Sequence, residues 1–158
     1  MKKNIFIENI NGNITSRPPV WFMRQAGRIL PSYLKLKQTY SFDEMMQNKE
    51  LAAKVTLLPL DDLGVDAGIL FSDILVIPKA LGLKLEFTPK GPKFHNALDE
   101  NINIENLKFN PQKLDYIYNN IREIKFQRPE TPLIGFCGGP LTTFLFMFRR
   151  NEVNKDVK

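Results

Sequence analysis

The sequence predicts an α/β fold with a parallel sheet, on three observations. Three short apolar runs, residues 20–23, 67–71 and 133–137, have the length and composition of strands covered on both faces. Helical patterns fill the intervals, and strands separated by helices pair in parallel through right-handed crossovers. A polar cluster follows each run: Arg24-Gln25-Ala26-Gly27-Arg28, then Ser72-Asp73, then Gly138-Gly139. Parallel α/β folds build their sites at those strand ends. A barrel and an open sheet both satisfy the pattern, but no Gly-x-Gly-x-x-Gly follows the first run, which argues against a dinucleotide-binding sheet.

Residues 1–17 are polar and read as an irregular segment, ending at Arg17-Pro18-Pro19, where paired prolines bar a helix. Val20-Trp21-Phe22-Met23 reads as the first buried strand. Beyond Pro31, residues 33–40 supply one amphipathic helical segment. Ser41 and Glu44 stand at capping-box spacing and start the next helix. Leu51, Val55 and Leu58 mark its buried stripe, Pro59 is expected to bend it and Gly64 to end it. The second strand stops at Ser72-Asp73. Leu83-Lys84-Leu85-Glu86-Phe87 alternates apolar and charged residues and runs into Thr88-Pro89-Lys90-Gly91-Pro92, which predicts a surface hairpin. Asn110-Pro111 opens a further helix with the apolar face Leu114, Ile117, Tyr118, Ile121 and Ile124. Pro129 bounds it, the third strand follows, and Gly138-Gly139-Pro140 is a loop that lets backbone approach closely.

A chain of 158 residues, 43% of them hydrophobic, can bury a core, and one domain or part of one is expected. No run nears the roughly 20 apolar residues of a membrane span, and the first residues lack an export h-region, so a cytoplasmic location is expected. The lone cysteine, Cys137, excludes an internal disulfide and a multi-cysteine metal site. Inside an apolar run it reads as a small buried hydrophobe and not as a nucleophile. His95, the single histidine, has no metal-ligating neighbour and reads as a surface residue. The net charge of +5 is compatible with an anionic partner, yet the lysines form no block. Background composition explains it, and neither nucleic acid nor a membrane is expected as a partner.

Arg24 and Arg28 are four apart, so both guanidinium groups face one way if their segment coils as a helix. Two such forks clamp carboxylates or phosphates, and the alternative is that they pair with the protein's own surface acids. Asp73, directly after a strand, either caps the following helix or presents its carboxylate to a ligand.

Pro19-Val20-Trp21-Phe22-Met23-Arg24-Gln25-Ala26-Gly27-Arg28-Ile29-Leu30-Pro31 closely resembles the N-terminal signature of the uroporphyrinogen decarboxylases. Glu50-Leu51-Ala52-Ala53-Lys54-Val55-Thr56-Leu57, Phe71-Ser72-Asp73-Ile74-Leu75, Ala80-Leu81-Gly82 and Gly135-Phe136-Cys137-Gly138-Gly139-Pro140 follow in that family's order. The resemblance implies a (β/α)8 TIM barrel, here its N-terminal part, with about three βα units and the hairpin as an excursion. It further implies decarboxylation of the acetate side chains of uroporphyrinogen to methyls, giving coproporphyrinogen, with neither metal nor organic cofactor, by a homodimer. Asp73 would accept the pyrrole N–H groups and balance positive charge in the intermediate. Arg24 and Arg28 would hold substrate carboxylates, one of them assisting proton delivery, while Gln25, Ala26 and Gly27 line the same substrate loop.

Two features depart from the family pattern. Phe146 stands where an active-site tyrosine is usual, so it can pack against substrate but cannot hydrogen-bond to it. An eight-stranded barrel needs about 250 residues, so residues 1–158 are expected to be the N-terminal portion of one domain, a truncated reading of a longer gene, and inactive alone. Two other readings are a related corrinoid-type barrel methyltransferase, which would need zinc-binding His and Cys residues elsewhere, and a non-catalytic fragment. The signature around Arg24 and Arg28 favours the decarboxylase over the methyltransferase, while the fragment reading concerns competence more than identity.

Overall fold

The computed structural model describes residues 4–22, 29–88, 91–98 and 104–148. In chain order the elements are α1 Ile5–Ile10, α2 Pro31–Thr39, α3 Phe42–Gln47, α4 Lys49–Leu63, β1 Gly68–Ile69, α5 Val76–Ala80, β2 Leu85–Thr88, β3 Gly91–Phe94, α6 Asp115–Gln127, β4 Leu133–Ile134 and α7 Pro140–Phe148. They fall into two compact units, Met1–Ser72 with Tyr116–Phe136, and Asp73–Asp115 with Cys137–Lys158.

In the first unit, α1 occupies part of the stretch expected to be irregular. Asn4 explains it: its side chain accepts the Phe6 N–H at 2.9 Å, a capped start, and none of the helix's residues is buried, so no apolar stripe announces it. Residues 20–22 form no strand, contrary to expectation. Both backbone groups of Val20 are taken by Asp66, whose N–H donates to the Val20 carbonyl at 2.9 Å and whose carboxylate accepts the Val20 N–H at 2.6 Å. With both groups held by one residue no ladder propagates there, and Phe22 is 54% exposed.

Helix α2 starts at Pro31, two residues before the reading from periodicity, because proline suits the first helical position. The capping box forms as predicted: the Ser41 N–H donates to Glu44 Oε2 at 2.8 Å and the Glu44 N–H to Ser41 Oγ at 3.2 Å. The single helix expected from Ser41 to Gly64 is two. Asn48 takes extended backbone angles between α3 and α4 and accepts the Leu51 N–H at 2.9 Å, ending one helix and capping the next. Gly64 closes α4 in the left-handed region at φ 64°, which glycine adopts without steric cost. The buried face of α4 is broader than the stripe read from sequence: Ala52, Ala53, Val55, Thr56, Leu57 and Pro59 are buried, whereas Leu51 and Leu58 are only half-buried.

Strands β1 and β4 pair in parallel, Gly68 opposite Leu133 and Ile69 opposite Ile134, the arrangement expected for the second and third apolar runs. Ala53, Leu57, Leu70 and Ile124 form the core of the unit, with Leu60, Ile117, Ile121 and Leu133 packed against it. Tyr118, assigned to the apolar face of α6, is 52% exposed, because the inward face is carried by Ile117, Ile121 and Ile124. Cys137 is exposed and not buried. The ladder ends at Ile134, so residues 135–137 continue as apolar sequence with no strand to cover them.

Thr56, 1% exposed, accepts the Phe71 N–H on its Oγ1 at 3.0 Å, satisfying a buried donor just beyond β1. Thr56→Val keeps the shape and deletes the acceptor. Leaving a buried N–H unpaired costs about 1–3 kcal/mol, so thermal unfolding of the variant is expected at a clearly lower temperature. Thr56→Ser should recover most of the loss.

In the second unit β2 and β3 make the predicted hairpin, antiparallel with Leu85 opposite Phe94 and Thr88 opposite Gly91. His95 lies at the surface as read, with Nε2 2.7 Å from a Glu86 carboxylate oxygen. A 3₁₀ turn at Pro111–Leu114, capped by Asn110, leads into α6, and the Asn110 N–H donates to the Ala80 carbonyl at 2.9 Å. The core is Leu75, Leu83, Phe94, Ala97, Leu98 and Met147. No helix among the described residues is long and apolar enough to cross a membrane.

Candidate functional site

The segment 23–28, which holds Arg24, Gln25, Ala26, Gly27 and Arg28, lies outside the described residues; its two flanks are defined. On the N-terminal side, Arg17 reaches Asp66 with both terminal nitrogens, Nη1 to Oδ2 and Nη2 to Oδ1, each at 2.7 Å. The same carboxylate holds the Val20 N–H. On the C-terminal side, Leu30 is 2% exposed and precedes α2, whose Ser32 hydroxyl donates to Asp62. The Arg17 hydrogen bond holds the Asp66 carboxyl below the usual carboxylate range, helped by the Val20 N–H and opposed by partial burial. A depressed folded value means that this contribution is present above the unfolded pKa and lost as pH falls through the folded one. Sequence reasoning missed Arg17 and Asp66. They are 49 positions apart, and one sequence carries no signal that would pair them.

Asp73 lies two residues beyond the apolar run 67–71, whose strand β1 ends at Ile69. Its Oδ1 accepts the Leu75 N–H at 2.7 Å, two residues on, the local bond of an Asx turn. It does not cap α5, whose N-cap is Leu75 with no side-chain cap bond. The carboxyl is half-buried, and among the described residues no cation pairs with it. Burial pushes its pKa above the ordinary aspartate value, and the Leu75 N–H opposes this in part. Such a group is short of donors and of positive charge, and a ligand carrying N–H groups or cationic character supplies both.

The Gly138-Gly139-Pro140 loop meets the Asp73 segment. A Cβ built on Gly138 would lie 3.0 Å from the Ile74 carbonyl oxygen and 3.2 Å from Ile74 Cβ, and against the Thr143 hydroxyl as well. Close approach, and not a positive φ, is therefore why glycine stands here. Gly138→Ala must move either this loop or the residue beside Asp73, at an overpacking cost of about 1–3 kcal/mol. We expect lower thermal stability together with a shifted backbone amide resonance at Ile74. The loop leads into α7, where Met147 points into the core and Phe146 is 37% exposed. Among the described residues no group of three or more His, Cys, Asp or Glu side chains gathers to hold a metal ion.

A family model described as uroporphyrinogen decarboxylase (URO-D) matches residues 1–156. The chain is 46% identical over 147 residues to a uroporphyrinogen decarboxylase of Helicobacter pylori, covering 90% of this chain and 43% of that one. A uroporphyrinogen decarboxylase of Christiangramia forsetii is 39% identical over 150 residues, at 92% and 44% coverage. The chain thus spans less than half the length of these curated relatives. Among solved structures, a methyltransferase from Methanosarcina mazei is similar in fold at a TM-score of 0.69 and 19% identity, over 92% of this chain and 44% of that one.

Proposed function

The chain belongs to the uroporphyrinogen decarboxylase family, and we propose that it supplies the electrostatic centre and the carboxylate clamp of a uroporphyrinogen decarboxylase. The observation that carries this reading is Asp73, a half-buried carboxylate with no cation beside it among the described residues and one local N–H on its Oδ1. The substrate presents pyrrole N–H groups and acetate arms. Removing an acetate carboxylate leaves an electron pair that the pyrrole ring must accept. Protonation of the ring carbon first makes that ring cationic; the bond to the carboxylate then breaks, its electrons neutralise the ring, carbon dioxide leaves, and a second proton completes the methyl group as the ring carbon gives back the first, so that one proton is consumed for each carboxylate lost. A fixed carboxylate near the ring nitrogens favours the cationic intermediate over the neutral ground state, which is what lowers the barrier.

In this reading Asp73 accepts the pyrrole N–H groups, Arg24 and Arg28 hold the substrate's carboxylates, and Gln25, Ala26, Gly27 and Phe146 also bind the substrate. Phe146 contributes packing where a tyrosine would add a hydrogen bond. The architecture is the N-terminal part of a (β/α)8 barrel, supported by the parallel pairing of β1 and β4 and by the shared fold of the methyltransferase. No cofactor is required, and a homodimer in the cytoplasm is the expected setting. The test is a chimaera in which this chain replaces the aligned 147 residues of the Helicobacter pylori relative. Release of carbon dioxide from uroporphyrinogen, with coproporphyrinogen as product, is expected. A folded chimaera that binds the substrate and releases none would sink the assignment.

A further inference from the structure

The signature segment is tied at both ends to one short stretch of chain, the connection from α4 to β1. At the N-terminal end three donors converge on Asp66: the two terminal nitrogens of Arg17, each at 2.7 Å, and the Val20 N–H at 2.6 Å. The Asp66 N–H returns a bond to the Val20 carbonyl at 2.9 Å. Among the described residues, the hydrogen bonds that residues 15–22 make to distant chain all meet on Asp66. At the C-terminal end Leu30 is buried, and Ser32 in the first turn of α2 donates to Asp62 in the last turn of α4. Asp62 and Asp66 are four apart and carried on fixed backbone. Gly64 closes α4 between them, Val65 and Ala67 are buried on either side of Asp66, and Gly68 begins the parallel ladder to β4.

Stability gives the Arg17 pair little to do. The arginine side chain is 51% exposed, and an ion pair so open to water contributes little to folding. A fork of two parallel bonds contributes direction instead, because it fixes the angle between its partners as well as their distance. Arg17 itself is engaged and does not grip a substrate: both terminal nitrogens are on Asp66, and Nη1 also donates to the Pro18 carbonyl at 3.0 Å. What the fork fixes is the backbone at Val20, from which the chain runs on to Arg24 and Arg28. Resting on the reading under Proposed function, in which those two arginines hold substrate carboxylates, we propose that Arg17 and Asp66, with Ser32 and Asp62 at the far end, are positioning residues that set the place of the clamp. Pinning both ends limits the conformations open to the chain between them, so less freedom is lost when substrate is gripped. Releasing one end weakens capture and leaves the chemical step alone.

The first arm of the test needs no substrate. Trp21, next to Val20, is the single tryptophan of the chain, and its indole nitrogen is buried. Arg17→Ala in this chain is expected to move the tryptophan emission to longer wavelength and to raise its quenching by acrylamide, at a nearly unchanged melting temperature. Arg17→Lys, which keeps the charge but not the fork, should behave like alanine. Unchanged emission overturns the proposal, and so does a steep fall in melting temperature, which makes the pair a stability element. The second arm uses the chimaera. Arg17→Ala should raise KM for uroporphyrinogen about 10-fold with kcat unchanged. In an Arg24→Ala, Arg28→Ala background the same substitution should raise KM no further, because no clamp is left to place. An effect of equal size in both backgrounds gives Arg17 a role of its own and overturns the proposal. The two readings fail differently. Unchanged KM in the Arg24→Ala, Arg28→Ala variant removes the clamp, and the functional reading falls together with this one. Unchanged KM in Arg17→Ala with that clamp intact sinks the positioning role alone.

Discussion

Replacing Asp73 by Asn in the Helicobacter pylori chimaera is expected to lower turnover of uroporphyrinogen about 10²–10³-fold while raising the melting temperature of the protein. The two effects share one origin. In the fold the carboxylate is stripped of part of its water, and the donors it lacks arrive only with the substrate. Asn retains the Oδ1 acceptor for the Leu75 N–H and so keeps the turn. What it loses is the charge, and the loss of one preorganised electrostatic contact at a developing charge costs roughly 3–4 kcal/mol in barrier. The stability effect has the opposite sign. A carboxyl whose folded pKa is raised binds its proton more tightly in the fold than in the unfolded chain. Its stabilising contribution is therefore complete below the unfolded pKa and is lost as pH rises through the folded one. At neutral pH the ionised Asp73 works against folding, and Asn removes that penalty. Each kcal/mol relieved raises the melting temperature by roughly 2–4 °C in a chain of about 150–250 residues, and by less in the longer chimaera. The gain should shrink as the comparison is moved to acid. In the chimaera with Asp73 intact, the acid limb of kcat/KM should lie above the ordinary aspartate pKa, because the working form is the carboxylate. If Asp73→Asn leaves turnover near normal, or lowers the melting temperature while the turn at Leu75 is intact, Asp73 is a structural residue and nothing more.

Asp73 stands out in the sequence because strand-end position and residue type coincide there, while the family resemblance supplies the role proposed for it. The burial that raises its pKa was not legible, since it depends on what packs over the carboxyl and not on its neighbours in sequence. The same division runs through the fold. Ser41 with Glu44, Gly64, and the hairpin from Leu85 to Phe94 are set by bonds between near neighbours, and local chemistry announces them. Asn48 is equally local but was hidden inside a continuous apolar periodicity, which reads across a one-residue break as if it were a single helix. Val20 and Cys137 failed for a different reason. An apolar run states that a segment can be buried; which residues find a strand partner is decided by distant chain, and among the described residues the parallel ladder includes Gly68, Ile69, Leu133 and Ile134 alone. The Arg17 to Asp66 pair, which fixes the entry to the signature segment, is non-local entirely.

That segment yields the second large effect. Arg24→Ala and Arg28→Ala in the chimaera are each expected to weaken capture of uroporphyrinogen about 10–100-fold, the equivalent of one lost charge-assisted hydrogen bond at about 1.5–3 kcal/mol. The kinetic form of the loss separates the two roles proposed for them. An arginine that grips a carboxylate equally before and during the reaction raises KM and leaves kcat alone, whereas one that assists proton delivery lowers kcat as well. We expect the first pattern at one position and the mixed pattern at the other. Arg→Lys distinguishes a fork from a point charge: lysine keeps the charge but cannot offer two parallel donors, so it should restore only a small part of the affinity. Charge contributes in either case, and the KM of the parent chimaera should rise with ionic strength more steeply than that of the double Ala variant. Full recovery by lysine at both positions would show that generic positive charge suffices. Unchanged KM and kcat in both alanine variants would place the two guanidinium groups on the protein's own acids, the alternative their spacing left open, and would leave the substrate's carboxylates to be held by other residues.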